Sequence, residues 1–77
     1  MIRKSQLASL VEDVARYSGR SRRESLLMVG ESLRFLHLVK NLSQGLSYKV
    51  IDNEADNLSI PAYRRQSFTK WCMDNIK

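Results

Sequence analysis

A chain of 77 residues that is 43% hydrophobic and 27% charged, with three glycines and one proline, has the composition of one small folded domain and not of a disordered tail. Thirteen Lys and Arg against eight Asp and Glu leave a net charge of +5; with a pI near 9.8, this favours polyanionic partners such as nucleic acid. Cys72 is the single cysteine, which excludes an internal disulfide; no apolar run reaches the roughly 18 residues of a membrane-spanning helix, and Met1 to Gln6 lacks the core of a secretory signal. A cytoplasmic protein without a membrane partner is expected.

Leu7, Leu10, Val11, Val14 and Ala15 recur at the i, i+3, i+4, i+7, i+8 spacing of one apolar helix face, which predicts a first helix from about Ser5 to Ser18. Ser9, Glu12, Asp13 and Arg16 fall on its outer side. Gly19 ends it, and the corner Ser18-Gly19-Arg20-Ser21 is short enough to force the next helix back against the first.

The second helix is predicted from Ser21 to Gly45. Ser21 followed by Glu24 is a capping box, and Gly45 is a candidate left-handed stop. At 1.5 Å per residue it spans roughly 34 Å, long for so small a domain. Leu26, Val29, Leu33 and Leu36 form one stripe, and Leu27, Phe35, Leu38, Val39 and Leu42 widen it beyond what one neighbouring helix covers. A chain this short has little left to cover the surplus, so a dimer interface is expected over Leu33, Phe35, Leu36, Leu38, Val39 and Leu42.

After Gly45 the pattern alternates. Leu46, Tyr48 and Val50 predict a strand, Asp52-Asn53-Glu54-Ala55-Asp56-Asn57 a polar turn, and Leu58, Ile60 and Ala62 a second strand with Pro61 at its edge or end. Phe68, Trp71, Cys72 and Ile76 then share one face of a closing helix that starts near Ser67. The expected fold class is α+β, mainly α, in one domain over residues 1–77: a helical hairpin over 1–45, a short β-hairpin over 46–63 and a C-terminal helix within 64–77.

This order, with three local matches, resembles the HU and integration host factor family of bacterial DNA-bending proteins. Arg3-Lys4-Ser5-Gln6-Leu7 is similar to that family's Lys-Ser-Glu/Gln-Leu opening. Leu42 to Val50 is similar to its exit from helix 2 into the first strand, and Ile60-Pro61-Ala62-Tyr63-Arg64-Arg65 to its Val-Pro-x-Phe-Lys-x-Gly segment. The resemblance implies an intertwined homodimer, or a heterodimer with an HU-type subunit, located at the bacterial nucleoid or encoded by a phage or plasmid. It also implies duplex phosphates held by Arg3, Lys4, Arg64, Arg65 and Lys70, to which Lys49 adds a further cation. The family's long basic β-arm has no counterpart between Val50 and Leu58, so the wedge that bends DNA strongly is missing.

A second basic group, Arg16, Arg20, Arg22 and Arg23, gathers at the corner between the first two helices. Arg22 and Arg23 lie in a first helical turn, where the helix dipole opposes a cation by roughly 0.3–1 kcal/mol; such a breach of a local rule hints at a polyanion contact, and screened, solvated side chains are the plain alternative. Tyr48, Tyr63 and Trp71 read as core residues before they read as a base-stacking platform, and His37 as a structural or interface residue. No catalytic constellation, metal set, cofactor motif or small-molecule site is legible. The leading expectation is a dimeric, weakly specific DNA-binding accessory protein. The rivals are a protein-interaction module or regulator that binds DNA weakly, and a ribbon-helix-helix repressor, which the turn-like Tyr17 to Glu24 resembles.

Overall fold

The hairpin expected at the front of the chain forms through the signals the sequence carries. In the computed structural model, which describes residues 4–43 and 45–76, α1 (Lys4–Ser18) is followed by α2 (Arg22–Ser43). Gly19 takes a φ of +71°, a conformation glycine reaches without a Cβ penalty, and its N–H closes α1 on the Ala15 carbonyl at 3.1 Å. Ser21 accepts the Glu24 N–H at 3.1 Å and its hydroxyl donates to the Glu24 carboxylate at 3.1 Å, the capping box that starts α2. Val11 and Val14 of α1 are buried with Val29, Leu33 and Leu36 of α2 in the chain's core.

The β-hairpin expected over 46–63 is absent, and with it the α+β class and the HU-like body. Among the described residues there is no strand: Tyr48–Asn57 is a helix, α3, a 3-10 turn spans Ala62–Arg64, and α4 covers Arg65–Asn75. The alternation of Leu46, Tyr48 and Val50 misleads because Tyr48 is an exposed residue of the first helical turn. The face that decides the matter is Ile51, Ala55 and Leu58, at i, i+4, i+7, all at most 1% exposed. Ser47 caps this helix by accepting the Val50 N–H at 3.2 Å. Of the run Asp52 to Asn57, read as a turn, Asp52, Asn53, Asp56 and Asn57 form the exposed side of α3, while Ala55 is buried. No strand of the kind a ribbon-helix-helix protein uses stands among the described residues, which open directly on α1 at Lys4.

The chain leaves α3 through a Schellman motif. Ser59 has a φ of +60°, its N–H reaches the Asp56 carbonyl at 3.0 Å, and the Ile60 N–H reaches the Ala55 carbonyl at 2.9 Å. Ile60 is thereby turned into the core at 5% exposure. Pro61 opens the 3-10 turn, whose Arg64 N–H returns to the Pro61 carbonyl at 2.9 Å. In α4, Phe68 and Cys72 face the core, joined by Ile76 just beyond it.

Polar ties lock the second half onto the first. Ser32 of α2 donates to Glu54 of α3 at 2.9 Å, and Lys40 of α2 donates to the Ile76 carbonyl at 2.9 Å, satisfying an end of α4 that lacks an intrahelical partner. Over Cα atoms the molecule measures 33 × 24 × 16 Å, a slab two helix layers deep. No described helix is long and apolar enough to cross a membrane.

Candidate functional site

The fold redistributes the basic residues. Lys4 at the start of α1 and Arg22 and Arg23 at the start of α2 line one open groove, with Leu7, Ala8, Val11 and Leu26 on its floor. The sequence assigned Lys4 to one group and the arginines to another; the crossing of α1 over α2 makes them one site. Arg22 also approaches Glu12 at 3.7 Å, and Arg20 approaches Glu24 at 3.8 Å. All four side chains are more than half exposed, so such pairs contribute only about 0–1 kcal/mol and leave the arginines available to another anion.

A second cluster joins the end of α1 to the 3-10 turn. The Tyr17 and Tyr63 rings meet edge to face, with centroids 6.4 Å apart and planes at 88°. The Arg64 Nε donates to the Tyr17 hydroxyl oxygen at 3.2 Å. Hydrogen bonding from Tyr63 and then from Arg64 lowers the pKa of Tyr17, and the same contact with Tyr17 raises that of Tyr63. The fields of Arg16 and Arg64 both reach Tyr63, which is 77% exposed. The Tyr63 ring is thus a surface element beside Tyr17 and not part of the core. Tyr48, 72% exposed, leaves the expected core in the same way, whereas Trp71 is half-buried against it.

Arg65 does not belong to either cluster. Its Nη1 donates to the Asp52 carboxylate at 2.8 Å, its Nη2 to Asp56, and its Nε to the Ile60 carbonyl at 2.7 Å. Hydrogen bonding to Asp52 and then to Asp56 raises its pKa, and the group is spent on holding α4 to α3. Lys49 and Lys70 are exposed on α3 and α4, outside both clusters. Arg3 lies outside the described residues.

The expected dimer surface divides in two. Leu33 and Leu36, 8% and 0% exposed, sit in the chain's own core and are removed from any contact with a second copy. Val39 is half-buried, while Phe35, Leu38 and Leu42 are exposed. Cys72 is fully buried, and burial pushes its thiol up to about 12, so it packs as a small apolar residue. Among the described residues no three His, Cys, Asp or Glu side chains gather as a metal set.

Comparison with models of protein families, with curated proteins and with solved structures finds no match to this chain.

Proposed function

We propose that the chain binds duplex DNA through its phosphates, at the cationic mouth of the α1–α2 groove, as an accessory protein with little sequence preference. The supporting observation is the convergence of Lys4, Arg22 and Arg23 on one groove. Arg22 and Arg23 stand in the first turn of α2, where the helix dipole opposes a cation by roughly 0.3–1 kcal/mol. The Glu12 contact, exposed and 3.7 Å long, offsets this only in part for Arg22. A phosphate across the groove supplies the missing partner. Long cationic side chains of this kind hold the backbone without reading base edges. The Tyr17–Arg64 cluster adjoins the opposite face of α1, beside Ser5, Ser9 and Asp13, and is not part of this groove.

Fluorescence anisotropy on unrelated duplexes over a series of salt concentrations tests the reading. With about three phosphates neutralised, log affinity falls against log salt with a slope near −2.7, alike for every sequence. Absence of binding at low salt removes it.

A protein-interaction module is the second reading, and the apolar floor of Leu7, Ala8, Val11 and Leu26 favours it. A groove with that floor and a basic rim matches an acidic amphipathic helix. Such a peptide would bind where DNA does not, and its affinity would depend on its leucines as much as on its carboxylates.

A further inference from the structure

Helix α2 turns Val29, Leu33 and Leu36 to the core, yet its opposite side also carries large apolar residues: Leu27 is 62% exposed, Leu38 55% and Leu42 77%. Leu27, Glu31, Arg34 and Leu38 follow one another at the 4-3-4 spacing that keeps residues on a single line of a helix. Phe35 and Leu42 flank that line on one side together with the half-buried Met28. Glu31 and Arg34 are exposed and form no ion pair with any other described residue.

We infer that this line is a self-association seam, on which a second copy lays its own α2 in the antiparallel sense. The order of charges carries the inference. A two-fold axis passing level with Ser32 and Leu33 sets Leu27 against Leu38 of the second copy and Glu31 against Arg34 of the second copy, and symmetry repeats both contacts. The same register brings Phe35 beside Met28 of the second copy, so the flank is apolar from both sides. A parallel pairing stacks Glu31 on Glu31 and Arg34 on Arg34, two repulsions in place of two ion pairs. The chain's own α2 is thus the complement of its exposed face in shape and in sign, and a foreign partner would have to reproduce both. An ion pair between apolar layers fixes orientation and register, while the leucines and Phe35 supply the driving force. None of these residues lines the groove proposed for DNA, so the seam stands whether or not that reading does.

Sedimentation equilibrium of the full chain is the test, with circular dichroism to establish that each variant is folded. The wild type is expected to be a dimer. Glu31→Arg faces Arg34 of its copy with a like charge, Arg34→Glu faces Glu31 in the same way, and each alone is expected to sediment as a monomer. An equimolar mixture of the two restores both ion pairs and is expected to return to dimer. A mixture of Leu27→Cys and Leu38→Cys chains is expected to form a disulfide-linked pair that neither chain forms alone. A wild type that stays monomeric at high concentration overturns the seam, as does a dimer indifferent to both charge reversals. Crosslinking of Leu27→Cys with itself overturns the antiparallel sense.

Discussion

Arg65 donates to the Asp52 carboxylate across 2.8 Å, and through its other nitrogens it also holds Asp56 and the Ile60 carbonyl. Asp52 and Asp56 stand one turn apart on α3, so a planar guanidinium spans both while its Nε takes the carbonyl that the Schellman turn leaves free. The side chain is 26% exposed and its partners more so, which discounts the energy toward the range of exposed pairs. Arg65→Ala is expected to cost about 1–2 kcal/mol in urea unfolding. Arg65→Lys should recover less than half of that, since one ammonium cannot bridge two carboxylates and a carbonyl. DNA affinity should stay unchanged in both variants. Full stability with weakened DNA binding would instead assign Arg65 to the contact surface.

Ser59 occupies the left-handed position of the α3 stop at φ +60°. The Cβ penalty there is about 1–2 kcal/mol, against an entropic cost of roughly 0.5–1 kcal/mol for glycine in the unfolded chain. Ser59→Gly is therefore expected to stabilise by about 0.5 kcal/mol, a rise of some 2–4 °C in Tm for a domain of this size. Ser59→Val should lower Tm by more than the glycine raises it. A glycine variant that melts lower than wild type would show that the turn is held for another reason.

That serine also explains why the second half of the chain misled where the first half did not. Gly19, Ser21 and Glu24 announce the corner between α1 and α2 with residues whose local preferences agree with the fold. The end of α3 carries Ser59 where glycine is the usual marker, and the cap at Ser47 sits directly after the apparent start of an alternating run. A helix of ten residues offers too few turns for its period to outweigh two alternating triplets. Leu58 and Ile60 are buried, as a strand reading expects, yet the backbone that buries them is a helix cap. The candidate sites show a similar division. Arg22 and Arg23 stood out by breaking the dipole rule, whereas their union with Lys4 depends on how two helices cross, which no local pattern records. Arg65 looked like its neighbour Arg64 until the fold of Asp52 to Asn57 brought two carboxylates to it.

Ser25 is fully buried at the start of α2, and its hydroxyl oxygen has no hydrogen-bond partner among the described residues. An unpaired buried polar group loses its water without replacement, a cost of about 1–3 kcal/mol. Alanine has almost the same shape and the higher helix propensity. Ser25→Ala is expected to raise unfolding free energy by about 1 kcal/mol with no change in quaternary state. A loss of stability on this substitution would mean that the hydroxyl has a partner after all.

Arg22 and Arg23 give the sharpest separation between folding and binding. As residues of the first turn of α2 they oppose the helix dipole, so replacing both with alanine relieves up to about 1 kcal/mol of unfavourable electrostatics, offset in part by the exposed Arg22 contact with Glu12 at 3.7 Å. The unfolding free energy of the Arg22→Ala, Arg23→Ala double variant is accordingly expected to equal or exceed that of the wild type. Its affinity for duplex DNA should fall for all sequences alike, and the slope of log affinity against log salt should become shallower by about 2, one unit for each phosphate released. Glutamate in place of Arg23 should abolish binding while adding a favourable charge to the helix start. Opposite signs on stability and affinity mark residues kept for an anion outside the chain. If instead the double variant loses stability and retains its salt slope, the two arginines are structural and the groove is not the DNA contact.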